Sequence, residues 1–305
     1  MFGNLARWCE DYNREYYAKH AACREKREQA AAAWRQAHPV QVVRPSAPST
    51  VISLPSAPSA PKNWVLPSSV VSPWYKDILE NATHLMVAGA TGSGKSVVLN
   101  GLLHTALALY TPEDLGLVLI DPKEIELVSY SNLPHTLEFE TEPEDILALL
   151  DKLYEIMTER YAEMKEKRVK KYTGKKILVV VDELADLLYN KKYGAEIKMA
   201  LTRLLAKARA ANITIICATQ APNRTTLSAD LVLNITNRIA LNCDTAIESK
   251  QIVGVKGAES LPWHGSCLYK APGQGVKRID GIPFYSDDEL NERIDFWEDQ
   301  WEEVE

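Results

Sequence analysis

Two stretches carry residue types that could do phosphate chemistry. Gly89-Ala90-Thr91-Gly92-Ser93-Gly94-Lys95-Ser96 fits G-x-x-x-x-G-K-[ST], and Val97 opens the apolar segment behind it. Backbone N–H groups of such a loop converge on phosphate oxygens, and a helix start adds partial positive charge. Lys95 would reach the β- and γ-phosphates, and the Ser96 hydroxyl would ligate Mg²⁺. The second stretch, Ile177-Leu-Val-Val-Val-Asp182-Glu183, reads as a buried strand delivering two carboxylates to the edge of a sheet. Asp182 would hold Mg²⁺, directly or through water, and Glu183 would polarise an attacking water.

Two further strand ends are polar. Gln220 closes Ile213-Thr-Ile-Ile-Cys-Ala-Thr-Gln220. It could bridge a γ-phosphate to a neighbouring element or simply satisfy backbone groups at a turn. Asp121-Pro122-Lys123 ends another apolar run. A tight turn explains it as well as chemistry does.

The elements that must position these groups alternate in type. Strands are predicted at 84–89, 116–121, 136–140, 177–182, 213–219, 237–243, 265–270 and 276–284. Helices are predicted at 95–110, 143–171, 195–211 and 245–252. Continuous apolar runs alternating with helical periods imply an α/β fold with a mainly parallel sheet flanked by helices.

Around this body the composition changes. Residues 1–38 are Ala-rich with a narrow aromatic stripe (Trp8, Tyr12, Tyr16, Trp34), predicting one long helix for self-association or partner docking. Residues 39–73 hold eight of the 16 prolines, which excludes core helix or sheet and predicts a semi-stiff linker. Residues 74–285 are the expected motor. Residues 286–305 carry ten acids and one arginine, a net of −9. Since the whole chain is −6, the rest is +3, so the overall acidity does not exclude a nucleic-acid partner. Ser286-Asp-Asp-Glu289 is a capping box. The helix it opens has Leu290, Ile294, Trp297, Trp301 and Val304 on one face, expected to pack back on the motor or to serve as an acidic docking tag. Five scattered cysteines without metal-ligand spacing point to buried thiols in a reducing cytoplasm. No apolar run reaches membrane-spanning length.

Several motifs together resemble one family. His84-Leu-Met-Val-Ala-Gly-Ala-Thr-Gly-Ser-Gly-Lys-Ser96 is similar to the phosphate loop of the FtsK/SpoIIIE DNA-translocating ATPases, within the FtsK–HerA group. So are Leu119-Ile-Asp-Pro-Lys-Glu-Ile-Glu-Leu127 with Leu133-Pro-His135, Val179-Val-Val-Asp-Glu-Leu-Ala-Asp-Leu187 and Leu204-Leu-Ala-Lys-Ala-Arg-Ala-Ala-Asn212. Ala218-Thr-Gln220, Asn237-Arg-Ile-Ala240 and Gly257-Ala-Glu259 follow in the same order. The resemblance spans about 74–285. It implies a RecA-like P-loop ATPase using ATP and Mg²⁺, working as a homo-oligomeric ring, expected to be a hexamer, with duplex DNA in its channel. It makes Gln220 the γ-phosphate sensor. A neighbouring subunit would supply an arginine finger, best matched by Arg209, with Arg203 and Arg238 as alternatives. Channel loops 189–194 and 221–227 would offer Lys191, Lys192, Arg224 and Thr225 to DNA phosphates. The basic run 165–176 is a third candidate surface, or a solvated helix end.

The chain departs from the family pattern in places. Ala221 follows the sensor where an arginine often stands. Neither a membrane-spanning front end nor room for a winged-helix domain is visible. The expectation is a compact motor of the kind carried by plasmids, phages or integrative elements, serving transfer, packaging, segregation or replication. Two rivals remain: an ATPase of a protein-secretion system, and a nucleotide-gated scaffold recruiting partners through its terminal helices.

Overall fold

The computed structural model describes residues 71–302. The predicted helix 1–38 and nearly all of the Pro-rich segment lie outside them. The helices are α1 (Pro73–Asn81), α2 (Lys95–Leu109), α3 (Pro143–Lys167), α4 (Leu184–Leu188), α5 (Gly194–Lys207), α6 (Ala229–Asn234), α7 (Ala246–Val253) and α8 (Asp287–Glu302). The strands are β1 (Leu85–Ala88), β2 (Leu115–Ile120), β3 (Thr136–Glu140), β4 (Lys176–Val181), β5 (Ile213–Thr219), β6 (Asn237–Ala240), β7 (Ser266–Ala271) and β8 (Gly275–Asp280).

They form one eight-stranded sheet in the order β3-β2-β4-β5-β1-β6-β7-β8. The six strands from β3 to β6 are parallel, and β7 and β8 close the far edge antiparallel. Every residue of β1 and β2 is buried, and so are Ile177–Val181 of β4. That is why these strands read as continuous apolar runs: both faces are covered. Alternate side chains serve the two layers. Val179, Val181, Ile213 and Ile215 pack against α3 and α5, with α6 and α7 on the same side. Leu178, Val180, Leu117 and Leu119 pack against α1, α2 and α8.

All eight predicted strands and four predicted helices are present, with ends moved by a few residues. The largest shifts are four residues, at the ends of α3, α5 and β8, predicted to 171, 211 and 284. α3 stops at Lys167, where Arg168 turns left-handed at φ 54° and its N–H bonds back to Lys165. The helices α1, α4 and α6 escaped the sequence reading: α4 and α6 are only five and six residues long, too brief for a helical period, and α1 adjoins the Pro-rich segment. At the C-terminus the capping box forms. Glu289 N donates to Ser286 Oγ at 3.3 Å, and Ser286 N donates to the Glu289 carboxylate at 2.8 Å. Leu290, Ile294 and Trp297 are buried, the latter two in the core on the α2 side of the sheet. Through Ile294 and Trp297 α8 packs against the sheet layer that holds α2. Trp301 and Val304 lie outside the described side chains. Among the described residues no helix is long and apolar enough to cross a membrane. Cys217, Cys243 and Cys267 are buried free thiols.

Three histidines are buried in neutral form. Burial pushes His84 down to about 4, His104 to about 3 and His135 to about 4. His84 Nδ1 accepts a hydrogen bond from Ile215 N, and His135 Nε2 donates to the Tyr110 carbonyl. An unfolded histidine takes up its proton near pH 6.5, well before these do. Unfolding is therefore favoured progressively as pH falls from about 6.5 towards 4, and the three histidines contribute no pH dependence above 7. Urea melts at pH 7.5, 6 and 4.5 should show stability flat at the high end and falling steadily below it.

Candidate nucleotide-binding site

The phosphate loop bridges β1 and α2 at the carboxyl edge of the parallel sheet. Gly92 and Gly94 adopt φ values of 79° and 100°, a region that L side chains rarely enter. Gly89 meets a different demand. A Cβ there would lie 2.6 Å from Ser93 Oγ and 2.7 Å from Leu241 Cβ. The loop is pinned to two strand ends: Gly89 N donates to the Thr219 carbonyl, and Ala90 N to that of Asn242. The first helical bond runs from Val98 N to Gly94 O. The earlier N–H groups of α2 therefore have no acceptor within the helix.

Lys95 and Asp182 meet beneath this loop. Lys95 Nζ donates to Asp182 Oδ1 at 2.5 Å and to the Asp182 carbonyl at 2.8 Å, with both residues almost fully buried. Ser96 Oγ donates to Glu126 Oε1 at 2.6 Å. Glu126 was quoted in the sequence motif without a role. It arrives through Asp121, whose carboxylate accepts from the backbone N–H groups of Lys123, Ile125, Glu126 and Leu127. Asp121-Pro122-Lys123 is thus the turn it resembled, and its buried carboxylate also aims Glu126 at the phosphate loop. Lys123 in turn pairs with Asp186 at 3.2 Å.

Glu183 caps α4. Its Oε1 accepts from Ala185 N at 3.2 Å, while Oε2 accepts from Gln220 N at 2.9 Å. The Gln220 side chain faces the phosphate loop, where Thr91 Oγ1 donates to its Oε1 at 2.7 Å. Lys95, Ser96, Asp182, Glu183 and Gln220 therefore form one connected set. A cavity of about 750 Å³ opens over it, lined by residues 90–98, Glu126, Gln220, Leu241, His264, Gly265, Ile282 and Phe284. Among the described residues no three His, Cys, Asp or Glu side chains form a metal cage. The oxygen donors present, Ser96 and Glu126 on the cavity with Asp182 behind Lys95, suit Mg²⁺, which takes one or two protein ligands and completes its shell from phosphates and water.

The arginine candidates separate. Arg238 is committed to structure, its guanidinium donating to the carbonyls of Val232, Ile235 and Ile252. Arg203 pairs with Asp151 and stacks over Tyr154 at 5.0 Å. Arg209 is exposed at the start of β5, whereas Lys95 follows the end of β1. The seven residues of β5 span about 20 Å, so Arg209 stands at the opposite sheet edge from its own chain's phosphate loop. There it shares a second cavity of about 270 Å³ with Lys170, Lys171 and Lys176. The basic run 165–176 thus gathers beside Arg209, at the edge remote from Lys95.

The two predicted channel loops do come together at the Lys95 edge. Asn223 Nδ2 donates to Tyr189 Oη, joining loop 189–193 to loop 221–228. Asn190 and Asn223 each fold their own loop by accepting backbone N–H groups, Thr225 N among them. Lys191, Lys192, Arg224 and Thr225 are exposed. Lys192 leans on the Tyr193 ring at 4.4 Å.

Lys95 and Asp182 compensate each other in a buried setting. Lys95→Ala leaves a carboxylate without its partner, a change that typically costs about 3–5 kcal/mol. Urea denaturation should show that loss, and Lys95→Ala/Asp182→Ala should recover part of it.

Residues 62–176 match the FtsK/SpoIIIE family. The chain is 34% identical over 256 residues to the DNA translocase FtsK of Campylobacter jejuni, covering 79% of this chain and 27% of that protein. It is 35% identical over 239 residues to the FtsK of Staphylococcus epidermidis, covering 72% and 30%. It thus spans under a third of these relatives. Among solved structures, the pCW3 conjugation coupling protein TcpA, bound to ATPγS, superposes with a TM-score of 0.62 at 23% identity, over 72% of this chain and 66% of that one. EssC ATPases 2 and 3 of Geobacillus thermodenitrificans also reach 0.62, at 18% identity, over 74% and 46%. Those two share the fold, a RecA-like P-loop core. With its motifs in family order and this identity over most of its length, the chain belongs to the FtsK/SpoIIIE family.

Proposed function

We propose that this chain hydrolyses ATP to move duplex DNA, and that it works in the cytoplasm as a six-membered ring serving a mobile genetic element. One observation carries the coupling: the Glu183 carboxylate holds Gln220 N with one oxygen and caps α4 with the other. Each partner leads within a few residues into one of the two basic loops.

The parts follow from their positions. Lys95 exchanges Asp182 for a phosphate oxygen, and Ser96 with Glu126 and Asp182 would hold Mg²⁺. Bound there, Mg²⁺ would neutralise charge on the β- and γ-phosphates. Glu183 accepts a proton from the attacking water and in doing so loosens its hold on Gln220. Gln220, already hydrogen-bonded to Thr91, reports the state of the phosphate loop to residues 221–228. Lys191, Lys192 and Arg224 grip backbone phosphates without reading bases, with Thr225 beside them. In a ring, the edge carrying Arg209 of one subunit would face the phosphate loop of the next. Arg209 would then complete the site in trans. Residues 1–38 and the linker up to 73 would serve self-association or a protein partner.

The test is ATP turnover by purified protein, with and without duplex DNA, with particle mass measured alongside. Turnover should rise at least several-fold with DNA; turnover indifferent to DNA overturns the translocase reading. Glu183→Gln should reduce turnover by more than 100-fold. Mixing Arg209→Ala with Glu183→Gln subunits should restore activity at mixed interfaces, and no recovery rejects Arg209 as the finger. Lys191→Ala/Lys192→Ala/Arg224→Ala should weaken DNA stimulation and reduce the salt dependence of binding.

A further inference from the structure

The cavity over the phosphate loop has an apolar part that the phosphate chemistry does not use. It is lined by Leu241, Ile282 and Phe284, with the His264 imidazole alongside. Phe284 lines this part yet is 69% exposed. A planar aromatic ligand would cover it by stacking.

We propose that residues 282–285 form the wall that receives the nucleobase, and that helix α8 is the strap that positions this wall. The inference rests on the nucleotide reading above and assigns the part of the ligand that the phosphate loop leaves open. The segment is anchored along its length. Ile282 N donates to the Gly265 carbonyl at 3.0 Å, and Tyr75 Oη donates to that of Pro283 at 3.3 Å. Tyr285 lies against His104 at 6.1 Å and beneath the Arg293 guanidinium at 4.3 Å. Immediately after it, the capping box starts α8, and Trp297 seats against His104 at 5.3 Å with no exposed surface. His104 belongs to α2, the helix whose first turn carries Lys95 and Ser96. One helix therefore supports both the phosphate end of the site and, through α8, the base end. The packing at this joint is apolar in character: the ring nitrogens of His104 and the indole N–H of Trp297 have no hydrogen-bond partner there. Docking depends on shape and burial, and residues 282–285 stay in place only while α8 is seated.

The test compares equilibrium binding of ATP, ADP and inorganic tripolyphosphate to the full chain, each with Mg²⁺. Tripolyphosphate has the phosphates and lacks the base. Phe284→Ala should weaken ATP and ADP about tenfold and leave tripolyphosphate unchanged, and Phe284→Tyr should restore the affinity. Trp297→Ala, a change in a positioning residue, should show the same selective loss. Should it fail to fold, Ser286→Ala removes only the cap and should give a smaller loss of the same selectivity. Equal effects on all three ligands, or none, overturn the proposal while leaving the phosphate site intact. A wild-type chain that binds tripolyphosphate as tightly as ATP also overturns it. Wild type that binds none of the three removes the nucleotide reading, and this inference with it.

Discussion

The buried pair of Lys95 and Asp182 is the constraint on which the rest of the molecule is arranged. A bare ammonium or carboxylate in a protein interior is prohibitively costly, so each needs the other until a ligand takes its place. Bringing them together requires β1 and β4 in one sheet with β5 between them, their carboxyl ends level. The register supplies this: Val87 aligns with Ala218 on β5, and Val181 with Cys217. The apolar runs that bury those strands thus also deliver the charges to a common edge.

From that edge the charges are passed outward by hydrogen bonds rather than by packing. Asp121 gathers four backbone N–H groups to present Glu126. Glu183 ties the start of α4 to the end of β5. Gln220 joins the phosphate loop. The Asp121 and Glu183 links replace backbone bonds that a strand end or helix start would otherwise lack. The arrangement is therefore self-consistent in the free chain yet available for exchange, because its donors can turn to a phosphate and its acceptors to a cation or a water.

The opposite face has a different logic. There α8 covers α2 with rings and aliphatic side chains, and the segment entering it lines the nucleotide cavity. Asp288, Glu292 and Asp295 are exposed on a helix whose buried face includes Leu290, Ile294 and Trp297. Its charge disguised a structural element, much as the net charge of the chain disguised a slightly basic body.

Much of this was legible from residue types alone. The phosphate loop, the Asp182-Glu183 strand end, the alternation of strands and helices and the capping box at Ser286 are local patterns, and local patterns survive in a linear chain. Among the elements missed, α4 and α6 are too brief for a period to register, and α1 adjoins the Pro-rich segment. What tertiary structure decided was adjacency. It placed Glu126 on Ser96, thirty residues away in the chain, through a carboxylate that looked like part of a turn. It set Glu183 against Gln220 and Asn223 against Tyr189. It put Arg209 across the sheet from its own phosphate loop, and it made Arg238 a clamp on three carbonyls. The sequence determined which groups were available and which strands would be buried. Strand order and register decided which of them meet, because parallel pairing brings together side chains that no spacing along the chain can relate.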